Sequence, residues 1–178
     1  MIKEILKRLF LGIDNYKSKL YKEVFTDIVK KSAAVCGKEL IVNGEVKGDL
    51  SILHLGDHVN INPNAIIMGK APIYIGNYFH CGMNMTLISS NHNFKGERIP
   101  YDNTHIAKQI LIKDFVWLGH NVIVLPGVTI GEGAIIGAGA IVSKDIPDLA
   151  IAVGNPIKVI KYRDADHFYS LKEEKKFY

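Results

Sequence analysis

The chain has 178 residues, of which 48% are hydrophobic, and a formal net charge of +4. That length fits one domain able to bury a core without staples, and the two cysteines, Cys36 and Cys81, stand far apart in no C-x-x-C pairing, which argues against a zinc or redox dithiol site. No apolar run approaches the roughly 18 residues of a membrane span and no signal-peptide pattern opens the chain, so the expected location is cytoplasmic.

Residues 1–36 read as an N-terminal helical segment. Ile2, Ile5, Leu6, Leu9, Phe10 and Ile13 recur at helical spacing, and Leu20, Tyr21, Val24, Phe25, Ile28 and Val29 do so again, which predicts two amphipathic helices. Residues 1–31 hold eight basic and four acidic side chains, so the whole net charge of the chain resides there. Two readings follow. The helices pack on the end of the main body or on a neighbouring subunit, or a basic amphipathic face lies on an anionic membrane, at the inner membrane face. No aromatic-basic platform accompanies the charge, so nucleic acid is not an expected partner.

From residue 37 to 160 the pattern changes. Leu55, Ile61 and Ile67 are six apart, as are Ile75, Cys81 and Leu87, and then Ile112, Leu118, Val124, Ile130, Ile136 and Val142. A second apolar series, Val116, Val122, Val128, Ala134, Ala140 and Ile146, follows four positions behind the last of these. A period of six is neither helical nor a simple strand alternation; it predicts a hexapeptide-repeat parallel β-helix whose recurring aliphatics stack inside a prism. Gly119, Gly127, Gly131, Gly133, Gly137 and Gly139 are then expected at its turns. The phase slips twice. Gly69-Lys70-Ala71-Pro72 reads as a lengthened turn, and the polar stretch at about 92–109 reads as a loop thrown out of the solenoid. Residues 161–178 form a short C-terminal tail.

The run Asp114-Phe115-Val116-Trp117-Leu118-Gly119-His120, with Leu125-Pro126-Gly127-Val128-Thr129-Ile130-Gly131, Ile136-Gly137-Ala138-Gly139-Ala140 and Val153-Gly154-Asn155-Pro156, closely resembles the hexapeptide-repeat acyltransferases. Within them the chain is most similar to the galactoside, maltose, xenobiotic and surface-polysaccharide O-acetyltransferases, over residues from about 50 to 161. The resemblance implies a left-handed parallel β-helix, a homotrimer with active sites between subunits, acetyl-CoA as co-substrate and no metal. It also implies acetylation of a carbohydrate acceptor.

The position that matches the family's catalytic histidine is His92, in Ser90-Asn91-His92-Asn93-Phe94. An imidazole titrates near neutral pH and can take the proton of an alcohol as its oxygen attacks a thioester carbonyl. The oxyanion that forms needs a preorganised donor, for which the resemblance offers the backbone N–H of His120. Trp117, His120, Ala138, Ser143 and Lys144 match positions along the cofactor groove, and Lys158 and Lys161 match basic positions facing the phosphates of CoA. Asn62 matches an acceptor-binding asparagine, and Asn84 follows one coil later, expected to face the same loop.

The chain departs from the galactoside enzymes where they carry a carboxylate pair and it has Gly69-Lys70, and its start is unlike that of the maltose enzymes. Both departures point towards polysaccharide-modifying members. N-acetylation of a nucleotide-linked amino sugar, acetylation of an antibiotic, and a non-catalytic scaffold are the alternatives. A γ-class carbonic anhydrase needs three histidines around one zinc, and no partner for His54 and His58 follows on that pattern.

Overall fold

The computed structural model describes residues 2–178, with side chains described for Gly12 and from Asp14 onward. Its centre is a parallel β-helix of three sheets. The first contains Val35–Cys36, Leu53–Leu55, Ile73–Ile75, Ile110–Ile112 and Thr129–Ile130. Ile41–Val42, Asn60–Ile61, His80–Cys81, Trp117–Leu118, Ile135–Ile136 and Ala150–Val153 form the second, and Val46–Gly48, Ala65–Met68, Thr86–Ile88, Ile123–Val124 and Ile141–Val142 the third.

The strands are short because each prism face is only a few residues wide, and the backbone bonds run between coils. Gly76 N–H donates to the Ile112 carbonyl and Gly82 N–H to that of Leu118, each at 2.8 Å. Every member of the six-residue series is buried, as are the residues four positions behind. Aliphatic stacks on aliphatic from coil to coil: Leu55 pairs with Ile75, Ile75 with Ile112, and Ile112 with Ile130, so a continuous apolar column lines this face of the interior. Each fully buried aliphatic contributes about 1.5–3 kcal/mol.

The expected turn glycines divide by cause. Gly127, Gly133 and Gly139 have positive φ, whereas Gly119, Gly131 and Gly137 do not. At Gly119 the constraint is closeness, since a Cβ would stand 2.6 Å from the Ala138 nitrogen of the next coil.

Both phase slips fall at the edge between the third and first sheets. There the chain leaves as a two-stranded antiparallel ribbon, Ser90–His92 against His105–Ala107, so part of the expected loop is strand. Ser89, at its base, is fully buried and donates its hydroxyl to the Ala71 carbonyl at 2.7 Å while accepting from Ala71 N–H at 3.2 Å. The lengthened turn and the loop therefore hold each other.

The N-terminal segment is one helix, α1 (Ile2–Ser32), not two. Nothing in residues 2–32 stops a helix: there is no proline, and the single Gly12 costs only about 1 kcal/mol. Val29 is buried and Phe25 packs on the core, while Thr26 Oγ1 accepts the Val42 N–H at 2.9 Å. The side chains of Ile2, Ile5, Leu6, Leu9, Phe10 and Ile13 lie outside those described. At the other end the tail turns back as an antiparallel strand, Lys158–Tyr162, and then a helix, α2 (Ala165–Glu173), capped by Asp164.

Replacing Ser89 with alanine leaves a buried N–H and carbonyl of Ala71 unpaired, a loss of about 1–3 kcal/mol. The urea midpoint of S89A should fall accordingly, while that of S90A should stay near the parent value.

Candidate functional site

The edge between the second and third sheets is built from columns of equivalent residues. Asn64, Asn84 and Asn121 form one column, all at positive φ, a conformation that asparagine tolerates better than most residues. Their amides bond in series: Asn64 Nδ2 donates to Asn84 Oδ1 at 3.1 Å, and Asn84 Nδ2 to Asn121 Oδ1 at 2.9 Å. Beside it runs the column of Pro63, Met83, His120 and Ala138. Met83 N–H donates to His120 Nδ1 at 3.0 Å, which leaves the N–H of a neutral His120 ring on Nε2.

The next step of this column differs. Ala138 stacks over Gly119 and His120 but has no side-chain acceptor, so the His120 backbone N–H has no acceptor among the described residues. Trp117, just before on the second sheet, is 55% exposed. Further along the same outward row come Ile135, Ile151 and Lys161, and Lys158 pairs with Val153 above Gly137. With strands about 4.8 Å apart, Lys161 stands about 14 Å from Trp117 along this row. Trp117, His120, Ala138, Lys158 and Lys161 thus follow one side of the solenoid.

His92 is elsewhere in the protomer. It ends the first ribbon strand, with its ring stacked on Tyr101 at 3.9 Å between centroids and tilted against His105 at 4.7 Å. Asp102 knots the loop by accepting from the Thr104 hydroxyl and N–H and from the Glu97 N–H, bonds that hold its carboxyl below the usual carboxylate range. Ser143 and Lys144, both exposed, follow Val142 at the same edge of the third sheet. The predicted residues therefore form two groups at opposite edges of that sheet.

Asn62 and Asn84 stand with the His120 group and are engaged within the scaffold. Asn62 Nδ2 donates to the Cys81 carbonyl at 2.8 Å, and its Oδ1 accepts from Asn43. Asn84 belongs to the neighbouring column with Asn64, so the two are not equivalent positions, and both lie across the third sheet from the base of the loop that they were expected to face.

A feature that the six-residue period did not reveal lies at the edge between the first and second sheets. His58, Tyr78 and Phe115, all at positive φ, stack at 4.6 and 5.0 Å. The recurring signal is an Asp or Asn followed by an aromatic residue: Asp57-His58, Asn77-Tyr78, Asp114-Phe115. Gly133 ends the series, and its missing side chain admits the ring of Phe168 from α2. Arg163 lies over that ring at 4.7 Å and donates to the Gly133 carbonyl, and Lys172 pairs with Glu132. The tail thereby borders an open pocket of about 370 Å³ against the second sheet, with Trp117 in its wall. His80, also in that wall, has its pKa lowered by burial.

Residues 110–144 match the bacterial transferase hexapeptide family of six repeats. The galactoside O-acetyltransferase of Escherichia coli is 33% identical over 150 residues, which cover 83% of this chain and 73% of that protein. That of Lactococcus lactis is 37% identical over 115 residues, 64% of this chain and 55% of its own. The chain spans about half the length of several curated relatives it matches. Among solved structures, a hexapeptide-repeat acetyltransferase from Vibrio cholerae complexed with acetyl-CoA superposes with a TM-score of 0.71 at 26% identity, covering 78% of this chain and 76% of that one.

Burial pushes the Cys81 thiol up to about 11, which removes it as a nucleophile at neutral pH. Thiol titration of the native protein at about pH 7.5 should find Cys81 unreactive until denaturant is added. Equal rates for Cys81 and the half-buried Cys36 would contradict this placement.

Proposed function

We propose that this chain, which belongs to the hexapeptide-repeat acetyltransferase family, transfers acetyl from acetyl-CoA to a hydroxyl of a sugar or surface-polysaccharide acceptor, as a homotrimer. The observation that carries the reading is the His120 N–H, without an acceptor among the described residues, beside Trp117 at one end of a row that reaches Lys158 and Lys161. A thioester carbonyl at one end and phosphates at the other suit that arrangement, and acetyl-CoA occupies the V. cholerae relative.

In the proposed reaction the acceptor hydroxyl gives its proton to His92 as its oxygen bonds to the acetyl carbon. Charge then develops on the carbonyl oxygen, where the His120 N–H stabilises it. The carbon–sulfur bond breaks, and the proton held by His92 passes to the departing thiolate of CoA. No acetyl-enzyme forms. The Tyr101 and His105 rings orient the imidazole, and neither takes part in bond making.

The geometry of one protomer supports an assembly of copies. His92 and the His120 N–H stand at opposite edges of the third sheet, so juxtaposing the loop of one copy with the groove of another brings base and donor together. Phe94 and Ile99 on that loop are exposed, and Ile66, Ile123 and Ile141 face outward from the third sheet, all apolar surface that a neighbour would cover. For the acceptor, the relatives are named as galactoside enzymes. Gly69 and Lys70 leave no carboxylates to hold a small sugar's hydroxyls, which favours a larger glycan bound over more surface.

Thiol release from acetyl-CoA, measured over a panel of glycans, nucleotide amino sugars and antibiotics, tests the reading; turnover with amines alone would overturn O-transfer. His92→Ala should lower turnover by about 10²- to 10⁴-fold with the assembly and acetyl-CoA binding intact. Full activity in that variant would remove His92 as the base. Replacing Lys158 and Lys161 together with alanine should raise the KM for acetyl-CoA in a salt-sensitive manner and leave kcat nearly unchanged. An unaltered KM at low ionic strength would return both lysines to ordinary surface.

A further inference from the structure

We infer that the projecting part of α1 is a docking surface for an anionic lipid bilayer. The inference does not depend on the acetyl-transfer reading.

The helix has 31 residues, about 46 Å at 1.5 Å per residue, and among the described side chains those that pack on the solenoid core lie in its last turns. Before them, Tyr16, Leu20, Tyr21 and Val24 are exposed. The sequence continues their spacing upstream through Ile13, Leu9, Leu6 and Ile2, so one face of the helix is apolar over about five turns. No helix among the described residues is long and apolar enough to cross a membrane, so a bilayer contact would be along its surface.

Two partners could cover such a face: a second copy of α1, or lipid. Ile2, Leu6, Leu9, Ile13, Tyr16 and Leu20 alternate steps of four and three, the spacing of a helix–helix seam. The positions that flank this seam are Lys3, Ile5, Phe10, Gly12, Lys17 and Lys19. None is a carboxylate, so paired copies would form no interhelical ion pairs and would bring lysines towards one another. Ile5 and Phe10 also widen the stripe beyond a narrow seam. The same residues suit a bilayer: lysine stems lie along the apolar region while their ammonium groups reach anionic headgroups, and tyrosines sit at the boundary between acyl chains and water. Residues 1–31 hold the whole net positive charge of the chain, which suits this helix to an anionic surface.

The contact is expected to be reversible, because one short apolar stripe supplies limited burial and each lysine adds about 1 kcal/mol near an anionic surface. Cosedimentation of the full chain with vesicles tests it, using phosphatidylcholine alone and phosphatidylcholine with about one quarter phosphatidylglycerol. Binding to the anionic vesicles should exceed binding to neutral ones by roughly fivefold or more at low salt and fall at about 0.5 M salt. The double variant L20D/V24D, on the exposed face, and the triple variant K17E/K19E/K22E should each lose most of that binding while keeping the parent's sedimentation coefficient without lipid. Absence of pelleting at low salt would overturn the inference. So would loss of the parent's oligomeric state in L20D/V24D with vesicle binding unchanged, a result that would assign the face to a second copy of the chain.

Discussion

Each coil must meet the next in register, and every other feature of the molecule depends on that constraint. The strands are mostly two to four residues long, too short to hold themselves together, so their N–H groups find partners only if the neighbouring coil presents its carbonyls at the same height. Equivalent positions then stack at strand spacing. A residue that suits one coil must suit the residue above it, and this is why aliphatic, asparagine and aromatic side chains each gather in columns. A single insertion would shift every following residue to a different column, so extra length is tolerated only at an edge.

That restriction explains where the chain departs from its own rule. The lengthened turn and the long loop leave from the same edge, and Ser89 ties one to the other through Ala71. Gly69 fits the same junction: its φ is +131°, and a Cβ there would come within 2.8 Å of the Ser89 and Ser90 nitrogens. His92 therefore projects from a clamped base even though its loop has no core of its own. A side chain on such a loop combines reach with a fixed origin.

The solenoid was legible because its period is written in apolar residues, and burial admits few substitutes. Ile112, Leu118 and Val124 announce the three faces of one coil without any further information. Length also exposed the loop. What the period could not convey was the content of the edges, where hydrogen bonding rather than burial selects the residue. Asn62 and Asn84 also bond to neighbouring coils, a scaffold role that the period does not reveal. The ladder of His58, Tyr78 and Phe115 occupies positive-φ positions where aromatic residues are uncommon, and only the stacking across coils makes them reasonable there. The two apolar clusters suggest two helices because residues 14–19 between them are mostly polar, but a polar stretch without proline does not end a helix, and α1 runs through it.

The same logic bears on how the site gains its chemistry. A regular solenoid satisfies its edge amides by placing a side-chain acceptor on each successive coil: Asp57, Asn77 and Asp114 do this on one edge, and His120 does it for Met83 on another. Alanine at 138 supplies no such acceptor, so the His120 N–H is among the edge amides that have no partner among the described residues, as the Asp114 N–H is on the other edge. No special loop or strained backbone is needed to make that donor. Omitting one acceptor side chain is enough to leave an edge N–H without a partner while the coils on either side stay in register.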